Sequence, residues 1–214
     1  VGYPNPNRSH FKSMAIWQSA DPESALQDGW LGRSLERMES EAHDPFLGFN
    51  VGRSTPAEMR SAGVTVTSVQ EPEDFGFKRG DSAAPVDDPR TSTLLKLYEQ
   101  YPSTSPYGVL LETTIEGAMA GSVLLEAARS RYTPAVTYPE TSFGAGLSLL
   151  AEAITGDLGV RVGHITLGGF DTHSGQSTDH EALMTTLDAG LTAFQADLEA
   201  HGKADDVLVL TFTT

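Results

Sequence analysis

Cysteine is absent from the 214 residues. That excludes disulfides, thiolate metal sites and cysteine nucleophiles, and leaves the redox compartment open. Positive charge is scarce: 14 Lys+Arg against 29 Asp+Glu give a formal net charge of −15. No local basic patch offsets this, so nucleic acid is not an expected partner. An acidic surface also repels anionic membranes and slows encounter with anionic substrates, unless a bound cation reverses the field locally. No run of about 18 uncharged apolar residues occurs, so no membrane span is expected. A P-loop, a dinucleotide fingerprint, a hydrolase nucleophile elbow and the spacing of an EF-hand calcium loop are all missing. What is present is globular in character: 39% apolar, 20% charged, with 12 Pro and 21 Gly, too few for a collagen-like or low-complexity chain. The length suits one ordinary domain.

The chain opens at Val1 in a Pro/Asn-rich turn and stops at Val207-Leu208-Val209-Leu210-Thr211-Phe212, a run typical of a buried strand. The expectation is therefore a single partial domain over residues 1–214, cut from a longer protein. The absence of a signal peptide at Val1 then says nothing about export.

Helices are expected at Phe11–Ser19, from near Gly32, over about 91–101, over 106–131 and over about 146–155. Residues 40–63 read as turn-rich, with Thr55 as cap of a short helix begun by Pro56. Val64–Val69 alternates as a strand, and 70–92 reads as an exposed acidic excursion that includes Glu71, Glu73, Asp74, Asp81, Asp87 and Asp88. Val160–Leu167 gives a second strand. Thr178 and Glu181 fit a capping box for a helix striped by Leu183, Leu187, Leu191, Phe194 and Leu198 and stopped by Gly202. A strand, that helix and the terminal strand form a βαβ unit, hence an α/β fold with a mostly parallel sheet flanked by helices.

The most informative stretch is Gly168-Gly169-Phe170-Asp171-Thr172-His173, followed by His180. It lies past the carboxyl end of a predicted parallel strand, where open α/β sheets place ligands. Asp171 and His173, two apart, project to one side of an extended segment, and a carboxylate beside an imidazole suits a divalent cation. His180, in the first turn of the next helix, keeps a free lone pair because the positive helix end disfavours imidazolium, and is the third candidate ligand. The plainer reading is that these residues order a turn. At the other end, Ser9 stands at the mouth of the first helix as a candidate nucleophile, with Arg8 supplying positive charge for an anionic group. Its plainer reading is an N-cap, and the two are compatible. His164 reads as a satisfied core residue, His43 and His201 as solvated, and the Trp17 and Trp30 pair as core.

Gly2-Tyr3-Pro4-Asn5-Pro6-Asn7-Arg8-Ser9-His10-Phe11, Ser13-Met14, Ile16-Trp17 and Gly29-Trp30-Leu31-Gly32-Arg33 resemble an exported bacterial family designated domain of unknown function fifteen-oh-one. Tyr138-Pro139, Leu167 through His173, Gln176, His180 and Val207 through Phe212 agree with it as well. The family resembles a branch of the alkaline phosphatase and sulfatase superfamily. That resemblance implies an alkaline-phosphatase-like fold, incomplete at both ends here, and a divalent metal, zinc or else manganese or calcium. It matches Asp171, His173 and His180 to metal ligands, Ser9 to the nucleophile with Ser13 as understudy, and Arg8 and His10 to substrate binding. It further implies a small anionic ester as substrate, twin-arginine export, and a periplasmic or extracellular location for the intact protein. Other acidic ligands and a late histidine of the superfamily fall outside this stretch, and Ala15 stands where many relatives carry an acid. The expected function is hydrolysis of phosphate or sulfate esters; the rival is a non-catalytic exported binding or scaffolding protein on a degenerate hydrolase fold.

Overall fold

The computed structural model describes residues 9–23, 28–39, 44–70, 78–79, 82–83, 89–102 and 104–213. In chain order these form α1 (His10–Ser19), α2 (Trp30–Met38), β1 (Gly48–Val51), a 3-10 turn (Ala57–Met59), β2 (Val66–Val69), β3 (Lys78–Arg79), β4 (Ser82–Ala83), α3 (Pro89–Gln100), α4 (Pro106–Arg131), α5 (Ser142–Thr155), β5 (Val162–Ile165), α6 (Gln176–Ala200) and a second 3-10 turn (Ala204–Asp206). Strands β3 and β4 make a small antiparallel hairpin.

The main sheet is parallel, in the order β2-β1-β5. Its central strand lies inside the stretch read as turn-rich. Gly48-Phe49-Asn50-Val51 is too short to display a period, and its first three residues are buried on both faces, so no alternation marks it. Phe49, Val51, Val69 and Ile165 face a core shared with Leu125 and Ala128 of α4, Leu147 and Leu150 of α5, and Phe194 and Leu198 of α6. On the opposite face, Val66 and Val162 meet Leu35 of α2 and Met59 of the first 3-10 turn. The sheet is thus covered on both sides, as parallel sheets require.

Several boundaries differ from expectation. Helix α5 begins at Ser142, with Thr141 capping through Gly144 N at 3.0 Å, and α3 begins at Pro89. Thr55 caps nothing: Pro56 precedes a 3-10 turn, and the Thr55 hydroxyl turns to Ser68 Oγ at 3.3 Å. The capping box is not formed either. Gly175, at φ 65°, starts α6 before Thr178 is reached, which makes His180 the fifth helical residue. The terminal run pairs with no strand among the described residues, and Leu208 is 92% exposed, so the βαβ unit is not closed there. The parallel pairs are β1 with β2 and β1 with β5 instead.

Helix α4 is the one described helix long and apolar enough, by length and composition, to cross a membrane, with a mean hydropathy of 1.3 over its best window. Glu112 and Glu116 lie along it, and Leu125 and Ala128 near its end pack in the core.

A buried carboxylate closes the core on the α6 side. Asp197 is fully buried and accepts from Tyr132 Oη (2.5 Å), Tyr138 Oη (2.9 Å) and Ala135 N (2.8 Å), with His201 Nδ1 at 3.3 Å. Burial and this carboxylate push both tyrosine hydroxyls well above their ordinary range. His201 is exposed, as expected, while its ring leans on Asp197 and the Tyr132 ring. Asp197→Ala removes the buried acceptor of three donors at once and is expected to destabilise the protein by about 3 kcal/mol or more. Urea unfolding checks this; a loss below about 1 kcal/mol, the typical worth of a single hydrogen bond, contradicts the clamp.

Candidate functional site

Ser9 is the N-cap of α1. It has extended backbone (φ −89°, ψ 118°), and its hydroxyl accepts from Lys12 N at 3.3 Å. His10, the first helical residue, is exposed. Arg8 and His43 lie outside the described residues, as do the acids at 71, 73, 74, 81, 87 and 88. Helix α1 packs on the turn Ala57–Met59. Trp17 is 43% exposed, so the expected tryptophan core pair is not made; Trp30 instead meets Phe212 edge-on, ring centroids 6.3 Å apart.

At the carboxyl end of β5 the chain runs through Gly169, at φ 101°, to Asp171 and His173. Asp171 Oδ2 and His173 Nε2 are 3.2 Å apart, and the two side chains are 90% and 88% exposed. The expected convergence of the pair is therefore present, on an open loop. His180 does not complete it: its ring stands edge-on to Phe170 at 6.1 Å. No group of three or more His, Asp or Glu residues able to hold a metal ion occurs among the described residues.

A cavity of about 420 Å³ opens between the carboxyl ends of β1 and β5 and the first turns of α5. Val51, Gly52, Gly146, Thr166, Arg129 and Glu152 are among its walls. This is the position at which open parallel sheets take ligands.

The other face of the same sheet carries a row of polar side chains. Asn50 is opposite Ser68 on β2 and opposite His164 on β5. Asn50 Nδ2 donates to Ser54 O (3.1 Å) and Ser68 Oγ (3.2 Å), while its Oδ1 meets His164 Nδ1 at 2.9 Å. His164 Nε2 in turn meets Glu58 Oε1 of the 3-10 turn at 3.0 Å. Asn50, Glu58 and His164 are all buried, and the Phe212 ring lies 6.3 Å from that of His164. Burial pushes His164 below its ordinary value of 6.5, opposed by Glu58. His164 is thus the satisfied core residue its sequence context suggests. Glu58, Asn50 and Ser68 are not evident from sequence; the available signal is a lone amide within the short run Phe46–Val51, otherwise apolar or glycine.

Two glycines of the Gly29-Trp30-Leu31-Gly32 motif explain how Glu58 is held. A Cβ at Gly29 would lie 2.0 Å from Glu58 O, and one at Gly32 would lie 2.2 Å from Arg60 O. Helix α2 therefore rests directly on the backbone of the turn that carries Glu58, with Gly29 N donating to Arg60 O at 2.8 Å.

A family profile described as a protein of unknown function, DUF1501, matches residues 1–214. The chain belongs to the DUF1501 family. No curated protein and no solved structure matches it. In this DUF1501 chain the motif residues take distinct tasks: Ser9 caps α1, Gly29 and Gly32 admit the turn, Tyr138 holds Asp197, and Asp171 pairs with His173.

Gly32→Ala must lift α2 off the turn, and is expected to cost on the order of 1–3 kcal/mol, as overpacking does. The double change Asp171→Ala with His173→Ala, at two exposed side chains, is expected to leave stability within about 0.5 kcal/mol. Denaturant titration of both variants decides; equal effects contradict the division between a buried support and an open loop.

Proposed function

We propose that this DUF1501 chain serves metal-dependent hydrolysis of phosphate or sulfate esters in a periplasmic or extracellular setting. The observation that carries the reading is the accessible Asp171–His173 pair, 3.2 Å apart just past a parallel strand. Two ligand atoms of one tetrahedral divalent ion, each at about 2.0–2.1 Å, lie a little over 3 Å from one another. The pair fits two positions on zinc; manganese and calcium are the alternatives. His180 does not fit as the third ligand in this arrangement, so remaining donors must come from elsewhere. A bound divalent ion would supply polarisation of an ester oxygen and a local reversal of the chain's negative field.

The chain's own residues contribute binding and orientation. Backbone N–H groups at the start of α1 offer positive potential for an anionic ester, while at the cavity Arg129 stands together with the acid Glu152. Ser9, whose hydroxyl is at that helix mouth, is the proposed nucleophile, with Arg8 and His10 beside it for the anion. The near-complete exposure of Asp171 and His173 favours the rival reading, an exported binding or scaffolding protein on a degenerate hydrolase fold.

Ser9→Asn and Ser9→Ala separate the roles of Ser9, because asparagine caps a helix well and lacks a hydroxyl, whereas alanine loses both functions, at about 1 kcal/mol for the cap. A nucleophile predicts that both variants of the full-length protein lose turnover of an aryl phosphate or aryl sulfate, with only alanine loosening α1. Full activity in Ser9→Asn leaves Ser9 as a cap alone. Failure of the wild type to retain zinc, together with no rate on either ester, rejects the hydrolase in favour of the binding scaffold.

A further inference from the structure

The hydrogen-bond roles in the buried row determine where its protons are. Ser54 O is a carbonyl and can only accept, so the amide nitrogen of Asn50 must face it. Asn50 Oδ1 is thereby turned to His164, and Nδ1 must carry a hydrogen to donate across the 2.9 Å separation. The second ring nitrogen then has two forms, a bare lone pair or an N–H. Against Glu58 Oε1 at 3.0 Å, a bare lone pair facing a carboxylate oxygen would set two acceptors against each other in a buried site. One further proton must therefore lie between Nε2 and Oε1. With it the pair is neutral overall, whichever atom holds it. Glu58 Oε2, buried with no hydrogen-bond partner among the described residues, favours that neutral pairing, since a lone carboxylate there would bury charge that no donor meets.

The pair joins two parts of the molecule. Glu58 belongs to the turn on which α1 and α2 pack, and His164 belongs to β5, which leads to Asp171 and His173. We propose that Glu58 and His164 form a proton-dependent latch: one shared proton fastens the α1–α2 layer to β5, and its removal releases that layer. This inference does not depend on the ester-hydrolysis reading.

Neighbouring charged groups are engaged elsewhere or exposed. On α2, Arg33 bonds Asp28 O and Ser19 O, Glu36 bonds Gly63 N, and Arg37 is exposed. On the turn, Arg60 bonds Thr55 O. His10 and Lys12 of α1 and Arg161 before β5 are exposed, and Asn50, Ser68 and Phe212 carry no charge.

The sign follows from proton counts. Above the ordinary imidazole value of 6.5 the unfolded pair has released its proton, whereas the 3.0 Å contact requires one in the folded pair, so stability falls as pH rises; burial of the His164 ring acts against this and the Glu58 carboxylate acts for it. Below the ordinary carboxyl value of 4.5 the unfolded pair takes up two protons. The folded pair resists the second, because burial disfavours imidazolium, so stability also falls in acid. Between those values the pair's contribution is level.

The test compares wild type with Glu58→Gln, whose amide N–H donates permanently to Nε2 and cannot titrate. The wild-type unfolding constant is expected to rise by about tenfold per pH unit between pH 7 and 8, relative to the variant, which is the slope of one proton. Equal pH dependence of the two proteins overturns the latch. Should Glu58→Gln fail to fold, proton release on unfolding the wild type at pH 8 decides: about one proton from this pair supports it, and none overturns it.

Discussion

The structure depends on one row of hydrogen bonds: Ser68, Asn50 and His164 across the three parallel strands, continued to Glu58 on the turn. Four-residue strands offer little ladder energy of their own, so their alignment rests on the apolar core beneath and on this row above. Because every polar group buried without a partner costs about 1–3 kcal/mol, the row admits one register and penalises the rest. It also gives the α1–α2 layer its attachment. Gly29 and Gly32 bring α2 onto the turn backbone, Met59 and Leu35 fill the apolar half of that face, and Glu58 reaches His164 in the polar half.

The two faces of the sheet have different characters. The α4–α5–α6 side is a continuous apolar core, closed by the Asp197 clamp and bordered by the cavity that Arg129 lines. The α1–α2 side holds the polar row. The candidate chemistry, Ser9 on one layer and Asp171 with His173 after β5, lies outside both cores on segments that the row ties together.

Much of the helical scaffold is legible in the sequence. Pro106 and Arg131 bound α4 as its stripe and Pro134 suggest, and Leu187, Leu191, Phe194 and Leu198 place α6 on the core. The sheet is less legible. Gly48, Phe49 and Asn50 of β1 are buried on both faces and show no alternation, whereas Val207–Phe212 has the composition of a strand and makes no ladder among the described residues. Composition reports what a segment would do beside a neighbour, and pairing requires the neighbour. The Asp171–His173 pair was legible because a spacing of two on an extended loop fixes direction. The Glu58–His164 pair was not, because the contact spans 106 positions and is created by a turn whose location only packing decides.

The proton on Nδ1 is the most exposed consequence of this account, since it follows from Ser54 O fixing Asn50 and Asn50 fixing His164. Nitrogen-15 NMR of the His164 ring at pH 8 reads it directly. The account predicts a hydrogen bonded to Nδ1, with no crossing to a freely titrating imidazole near the ordinary value of 6.5. A bare Nδ1, or ordinary titration through that value, contradicts it.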